Sequence, residues 1–151
     1  RVVDRGIRES GMVDVEKLCI VPGEEVWMCF VDIYALDYDG NLFDAANLAA
    51  VCALKSAVIP GEQYGKGENA PLPITCTPIS ITEVKVGNTL IVDPDYDEEQ
   101  ISSARLTVTT DDVGNFRAMQ KGGCGSITLD ELSLCLDRAV EIGAEIRKII
   151  G

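Results

Sequence analysis

The segment Val26-Trp27-Met28-Cys29-Phe30-Val31-Asp32-Ile33-Tyr34-Ala35-Leu36 constrains the fold more than any other stretch. Successive strand residues point to opposite faces, and both faces here are apolar. The pattern therefore predicts a central strand covered on two sides rather than an edge. Leu18-Cys19-Ile20-Val21 reads as its antiparallel neighbour, joined through the Pro22-Gly23-Glu24-Glu25 turn. Asp32 is the one charge within the apolar run. A lone buried carboxylate is costly, so a structural role beside an arginine or backbone amides is favoured over a general acid with raised pKa.

Other elements follow from local signals. Arg1 to Ser10 reads as the end of a polar-faced helix stopped by Gly11, and because the chain opens in mid-helix with no Met it is expected to be a fragment. Asp37-Tyr38-Asp39-Gly40-Asn41 predicts a turn, and Asp44 to Val58 a helix with Ala45, Leu48, Ala49, Cys52 and Ala53 on its packed face. Pro60 to Pro73 reads as a linker. Ile74 to Val86, Thr89 to Val92, Ser103 to Thr110 and Phe116 to Gln120 predict a four-stranded antiparallel sheet, with Gly87-Asn88 as a hairpin turn. In Ser103 to Thr110, Ala104, Leu106 and Val108 alternate with Arg105, Thr107 and Thr109, the mark of a half-buried strand. Thr128-Leu129-Asp130-Glu131 is a capping box, and Leu132, Leu136, Ala139, Val140, Gly143, Ile146 and Ile150 follow at helical spacing.

Charge limits the function. The net charge of −12, from 13 basic and 25 acidic residues, excludes a protein that grips nucleic acid with its whole surface. Any RNA contact must come from a few locally placed arginines or from a basic partner. There is no His among the residues and no close Cys pair, so a zinc site of ordinary spacing and His-based triads are excluded. Cys19, Cys29, Cys52 and Cys135 lie in apolar patterns and are expected to be buried thiols. No apolar stretch is long enough for a membrane span, and the chain reads as cytoplasmic.

Several short patterns have a functional and a plain reading. The turn at Asp37 to Asp44 lacks the glycine and bidentate Glu positions of a calcium loop, and reads as a strand-to-helix turn capped by Asn41 or Asp44. Gly122-Gly123-Cys124-Gly125-Ser126 lacks the Gly-Lys-Ser/Thr ending of a nucleotide loop, and reads as a connection. Arg1, Arg5 and Arg8 recur at helical spacing, either as a solvated face paired with Asp4 and Glu9 or as a short phosphate-contacting stripe.

The stretches Arg1-Val2-Val3-Asp4-Arg5-Gly6-Ile7-Arg8-Glu9-Ser10, Val31 to Asn41 and Asp44 to Ala50 closely resemble the ribonuclease PH superfamily. Pro71-Leu72-Pro73-Ile74, Ile91-Val92-Asp93-Pro94 and Gln120-Lys121-Gly122-Gly123 extend the likeness along nearly the whole chain. Within that superfamily they resemble the non-catalytic ring subunit of the archaeal exosome, in its C-terminal part. The resemblance implies an α+β fold of two α/β halves, residues 1–65 being the C-terminal part of an incomplete first half and residues 66–151 the second. An exposed apolar surface is expected where strands of the first half are lacking.

The implied role is support of a catalytic ribonuclease-PH-like partner in a hexameric ring that degrades RNA from its 3′ end, with phosphate as the attacking group. Implied partners are that catalytic subunit, the 3′ end of single-stranded RNA and RNA-binding cap subunits; no cofactor, metal or membrane is implied. Catalytic relatives carry Gly-Thr/Ser-Arg where this chain has Gly40-Asn41-Leu42, and leucine cannot replace a guanidinium at phosphate. They also carry an Asp before the strand opening the second half, matched here to Pro71-Leu72-Pro73. Hence no catalytic residue is expected, and Arg1 and Arg5 match positions that reach the RNA backbone. The alternative is a metal-dependent enzyme using Asp32, Asp37 and Asp39.

Overall fold

A computed structural model describes every residue from Arg1 to Gly151. Its centre is an antiparallel sheet of β5 (Ile79–Val86), β6 (Thr89–Val92), β7 (Ala104–Thr110) and β8 (Phe116–Gly122), in the order β6-β5-β7-β8. Helix α4 (Leu129–Ile150) covers one face; α1 (Val2–Ser10) and α2 (Leu42–Ser56) cover the other. A short α3 (Tyr96–Ile101), with a capping box between Asp95 and Glu98, links β6 to β7.

The two faces of the sheet differ in chemistry. Ile79, Ile81, Leu106 and Val108 share the α4 face with Glu83 and pack against Cys135 and Ala139. Arg138 of α4 pairs with the buried Glu83 at 2.9 Å, and burial followed by the Glu83 charge pushes the Cys135 thiol up to about 12. The opposite face carries hydroxyls: Ser80 pairs with Thr109 and Thr82 with Thr107, each at 2.8 Å. Thr107 and Thr109 are thus buried, not solvent-facing as a half-buried strand requires. Cross-strand hydroxyl pairs satisfy one another, so these hydroxyls can lie under helices without being orphaned.

Capping signals placed the helices well. Thr128 Oγ accepts from Glu131 N at 3.2 Å, and Glu131 accepts from Thr128 N at 2.8 Å. Gly11 ends α1 in the left-handed conformation, with φ 70°. The glycine-rich stretch after β8 is a plain connection, in which Gly125 N donates to Ser103 O at 2.7 Å.

Four expectations need correction. Pairing in the hairpin stops after β1 (Cys19–Val21) and β2 (Glu25–Val26), and residues 27–36 form no strand. Phe30, Tyr34 and Leu36 are 78%, 82% and 98% exposed. A strand needs neighbours for its N–H and C=O groups, and none lies beside this segment. Helix α2 buries Ala46, Asn47, Ala50, Val51 and Leu54, while Ala45, Ala49, Cys52 and Ala53 are exposed: the small-residue face is turned outward. Cys19, Cys29 and Cys52 are exposed, leaving Cys135 as the one buried thiol of that set. The expected linker from Pro60 to Pro73 contains β4 (Ala70–Pro71), which pairs with β3 (Val58–Ile59) just before it. Between α1 and residues 26–33 lies an apolar groove of about 560 Å³.

Asp111 fastens the β7–β8 turn. It accepts from Val113 N, Asn115 N, Asn115 Nδ2 and Arg117 Nε at 2.7–3.1 Å. Burial opposes its ionisation, but these donors outweigh it and hold the carboxyl at about 2. The folded value lies below the ordinary aspartate value of about 4, so the stabilisation is complete above about pH 4 and is lost as pH falls towards 2. Asp111→Ala is expected to cost about 2 kcal/mol in denaturant unfolding at pH 7, and the deficit should shrink between pH 4 and 2.

Candidate nucleic-acid interface

Helix α1 lies across the hydroxyl face of the sheet because Gly6 allows it. A Cβ there would sit 3.3 Å from Thr109 Oγ1 and 3.5 Å from Asn47 Nδ2. This fixes the directions of the arginines. Arg8 pairs with Asp4 at 2.8 Å, which is the plain solvated-face arrangement. Arg5 is exposed and donates to Gln120 Oε1 of β8 at 3.3 Å. Arg1, at the helix N-cap, is exposed at the rim of the apolar groove. Arg1 and Arg5 are therefore one turn apart, and neither has a carboxylate partner, but Arg5 alone faces the sheet.

The turn before α2 lies at the other side of this face. Gly40, at φ 97°, is required because a Cβ would collide with the Pro94 carbonyl and the Asp95 backbone. Asn41 caps α2 through its side chain, which accepts from Asp44 N at 3.4 Å. Its Nδ2 donates to Asp93 Oδ1 at 2.7 Å and Asp44 Oδ2 at 2.9 Å, and its backbone N donates to Glu99 Oε1 at 3.2 Å. Glu99 also accepts from the Tyr38 hydroxyl, an arrangement that raises the Tyr38 pKa. Leu42 points outward, 42% exposed.

Asp44 ties this turn to the second half of the chain. Its carboxylate accepts from Thr82 N at 2.6 Å and Thr82 Oγ1 at 2.7 Å. Burial raises its pKa to about 6 against the opposing hydrogen bonds from Asn41 and Thr82. The position matched to the phosphate-holding hydroxyl is thus filled by Asn41 and ringed by Asp44, Asp93 and Glu99, while the guanidinium position is held by the outward Leu42. A polyanion placed there would meet like charge in a partly dehydrated site.

The carboxylates of that ring were missed in the sequence. Asp93 and Glu99 lie about fifty residues from Asn41, and nothing in their spacing announces the approach; the signal was only that Asp95-x-x-Glu98 opens a helix. Pro71-Leu72-Pro73 lies away from this turn: Leu72 N donates to Ala57 O at the C-terminal end of α2, about 20 Å along the helix from its cap. Two further expectations are corrected. Asp32, Asp37 and Asp39 are all exposed, and no group of three acids, thiols or imidazoles could hold a metal ion. Asp32 forms no ion pair, since the strand that would have buried it is not formed.

The Asp44 linkage is testable. A carboxyl whose folded pKa exceeds the ordinary aspartate value of about 4 favours folding most at low pH, and that contribution is lost as pH rises through about 6. Comparing Asp44→Asn with the parent by urea unfolding, the parent's stability should fall relative to the variant between pH 4 and 7. A pH-independent difference would show that Asp44 titrates normally.

Comparison with known proteins bears directly on this arrangement. Residues 1–60 match the model of the 3′ exoribonuclease family, domain 1, and residues 76–142 match that of domain 2. The chain is similar to exosome complex component Rrp42 of Thermoplasma acidophilum, 51% identical over 148 residues that span 98% of this chain and 56% of that protein. It is 47% identical to the component of the same name from Thermococcus gammatolerans over 158 residues, spanning 99% of this chain and 58% of that protein. A solved structure described as the Archaeoglobus fulgidus exosome with RNA bound to the active site contains a chain that superposes with a TM-score of 0.96 at 44% identity, covering 100% of this chain and 59% of that one. The present chain thus spans little more than half the length of these relatives.

Proposed function

Because the chain belongs to the 3′ exoribonuclease family and has its ribonuclease-PH-like α+β fold, we propose that it is a non-catalytic subunit of an exosome ring. In this reading it supports a catalytic ribonuclease-PH-like partner and guides the 3′ end of single-stranded RNA towards that partner's phosphorolytic site. Residues 1–65 belong to the first half of the fold and 66–151 to the second. RNA-binding cap subunits are further partners, and the place of action is the cytoplasm. No helix of the chain is long and apolar enough to cross a membrane.

One observation carries the silent part of the reading: the turn at Gly40-Asn41-Leu42 is filled by the chain's own amide and carboxylates. Phosphorolysis needs cationic and hydroxyl donors around the attacking phosphate. Here the amide of Asn41 is spent on Asp44 and Asp93, and its backbone N–H on Glu99. The guiding part rests on Arg1 and Arg5. With no carboxylate to neutralise them, their donors are open to phosphodiester oxygens. An acidic protein can then serve an RNA machine, because the few cations that matter are locally placed.

Mixed with the catalytic partner, the protein should assemble into a ring that releases nucleoside diphosphates from RNA only when phosphate is present. Strong activity from this protein alone would refute the silent role. Arg5→Ala should weaken RNA binding by the ring roughly three- to tenfold, as expected for loss of one exposed charged contact, with the ring intact by size-exclusion chromatography. Unchanged affinity would remove Arg5 from the path.

A further inference from the structure

Arg105 of β7 stands apart from the other cations of the chain. Among partly buried basic side chains, Lys85 is paired with Glu131, Arg138 with Glu83, and Arg147 with the Thr110 carbonyl. Arg105 has neither a carboxylate nor a hydrogen-bond acceptor, and its Nε is buried without a partner. A guanidinium with nothing to bind is expensive to hold in place, yet this one is held. It lies over the Phe43 ring with Cζ 4.3 Å from the centroid. Gly122 of β8 also lies against it: a Cβ there would be 2.8 Å from Nη2 and 3.3 Å from Cζ. The cation rests on an aromatic ring and beside bare backbone, and none of its nitrogens has an acceptor.

This arrangement lies on the same face as Arg5. Arg105 is paired with Gly122 and Thr107 with Gln120, so Gly122 and Gln120 are neighbours on one side of β8. Arg5 reaches Gln120, and Arg105 rests on Gly122. Their anchor points are two strand residues apart, about 7 Å.

We propose that Arg105 binds a backbone phosphate of single-stranded RNA, adjoining the phosphate contacted by Arg5. This deepens the RNA-guiding role above and rests on it. A guanidinium whose face is taken by the Phe43 ring offers its in-plane N–H donors, which suit an oxyanion rather than a stacked base. Two cations whose anchor points lie about 7 Å apart can each meet a separate diester of a continuous strand. The acids of the adjoining turn also disfavour a compact dianion more than singly charged diesters.

The test uses the ring assembled with its catalytic partner and a labelled oligoadenylate, with affinity measured over a series of salt concentrations. Arg105→Gln should weaken binding several-fold and reduce the magnitude of the slope of log K against log salt by about 0.7, the value for one contact to a single strand. Lys148→Ala, which removes an exposed charge on the last turn of α4, should leave both quantities unchanged. Unaltered slope and affinity in Arg105→Gln, with Arg5→Ala weakened, would overturn the assignment while leaving the RNA-guiding role standing. If neither variant differs from the parent, both readings fail. If inorganic phosphate at constant ionic strength competes with RNA in the parent but not in Arg105→Gln, the group takes free phosphate and the diester assignment is overturned.

Discussion

A part-buried carboxylate anchors the join between the two family-matched parts of the molecule. Asp44 lies in the part matched to domain 1, and Thr82, which gives it both an amide and a hydroxyl, lies in the part matched to domain 2. Asn47 repeats the arrangement one turn later on α2, where its Oδ1 accepts from Ser80 N at 2.9 Å. The join between the parts is therefore a seam of directional hydrogen bonds beside an apolar layer. Apolar contacts tolerate sliding, whereas a seam of this kind fixes register. Both the arginine-bearing helix and the capped turn take their positions from it.

Local signals made much of the fold legible. Thr128 and Glu131 announced α4, Gly11 announced the end of α1, and the alternation around Val108 announced a strand of the right length. Signals failed where they report a side chain's surroundings but not the availability of partners. Val26 to Leu36 has the composition of a central strand, but composition supplies no neighbouring backbone. The Thr107 and Thr109 alternation looked like a solvent face because a hydroxyl satisfied by another hydroxyl has the same sequence signature as one satisfied by water. Small residues run round α2 on both sides, so their expected face of Ala45, Ala49, Cys52 and Ala53 is the outward one, while Ala46, Asn47 and Ala50 are buried.

The candidate region divides in the same way. The turn itself was readable, since Gly40-Asn41-Leu42 departs from a phosphate-holding pattern between a strand-like run and a helix. Its contents were not. Asp93 and Glu99 arrive through the β6 and α3 connection, and Arg105 through the next strand, so only the folded sheet assembles them. The distribution of charge then becomes intelligible. Several basic side chains are committed to structural pairs, as in Lys85 with Glu131 and Arg117 with Asp111. Those left over on the β7–β8 side are few, which is compatible with the strongly acidic total.

The hydroxyl seam also has a polarity. A threonine hydroxyl owns one proton. Thr82 gives its proton to Asp44, so in the Thr82–Thr107 contact Thr107 must be the giver. Thr107 lines the small recess shared with Arg5 and Gln120, and towards that recess it can show only lone pairs. The ionised state of a carboxylate on the far side of the seam thereby sets the floor beneath Arg5 as an acceptor, suited to guanidinium and amide N–H groups.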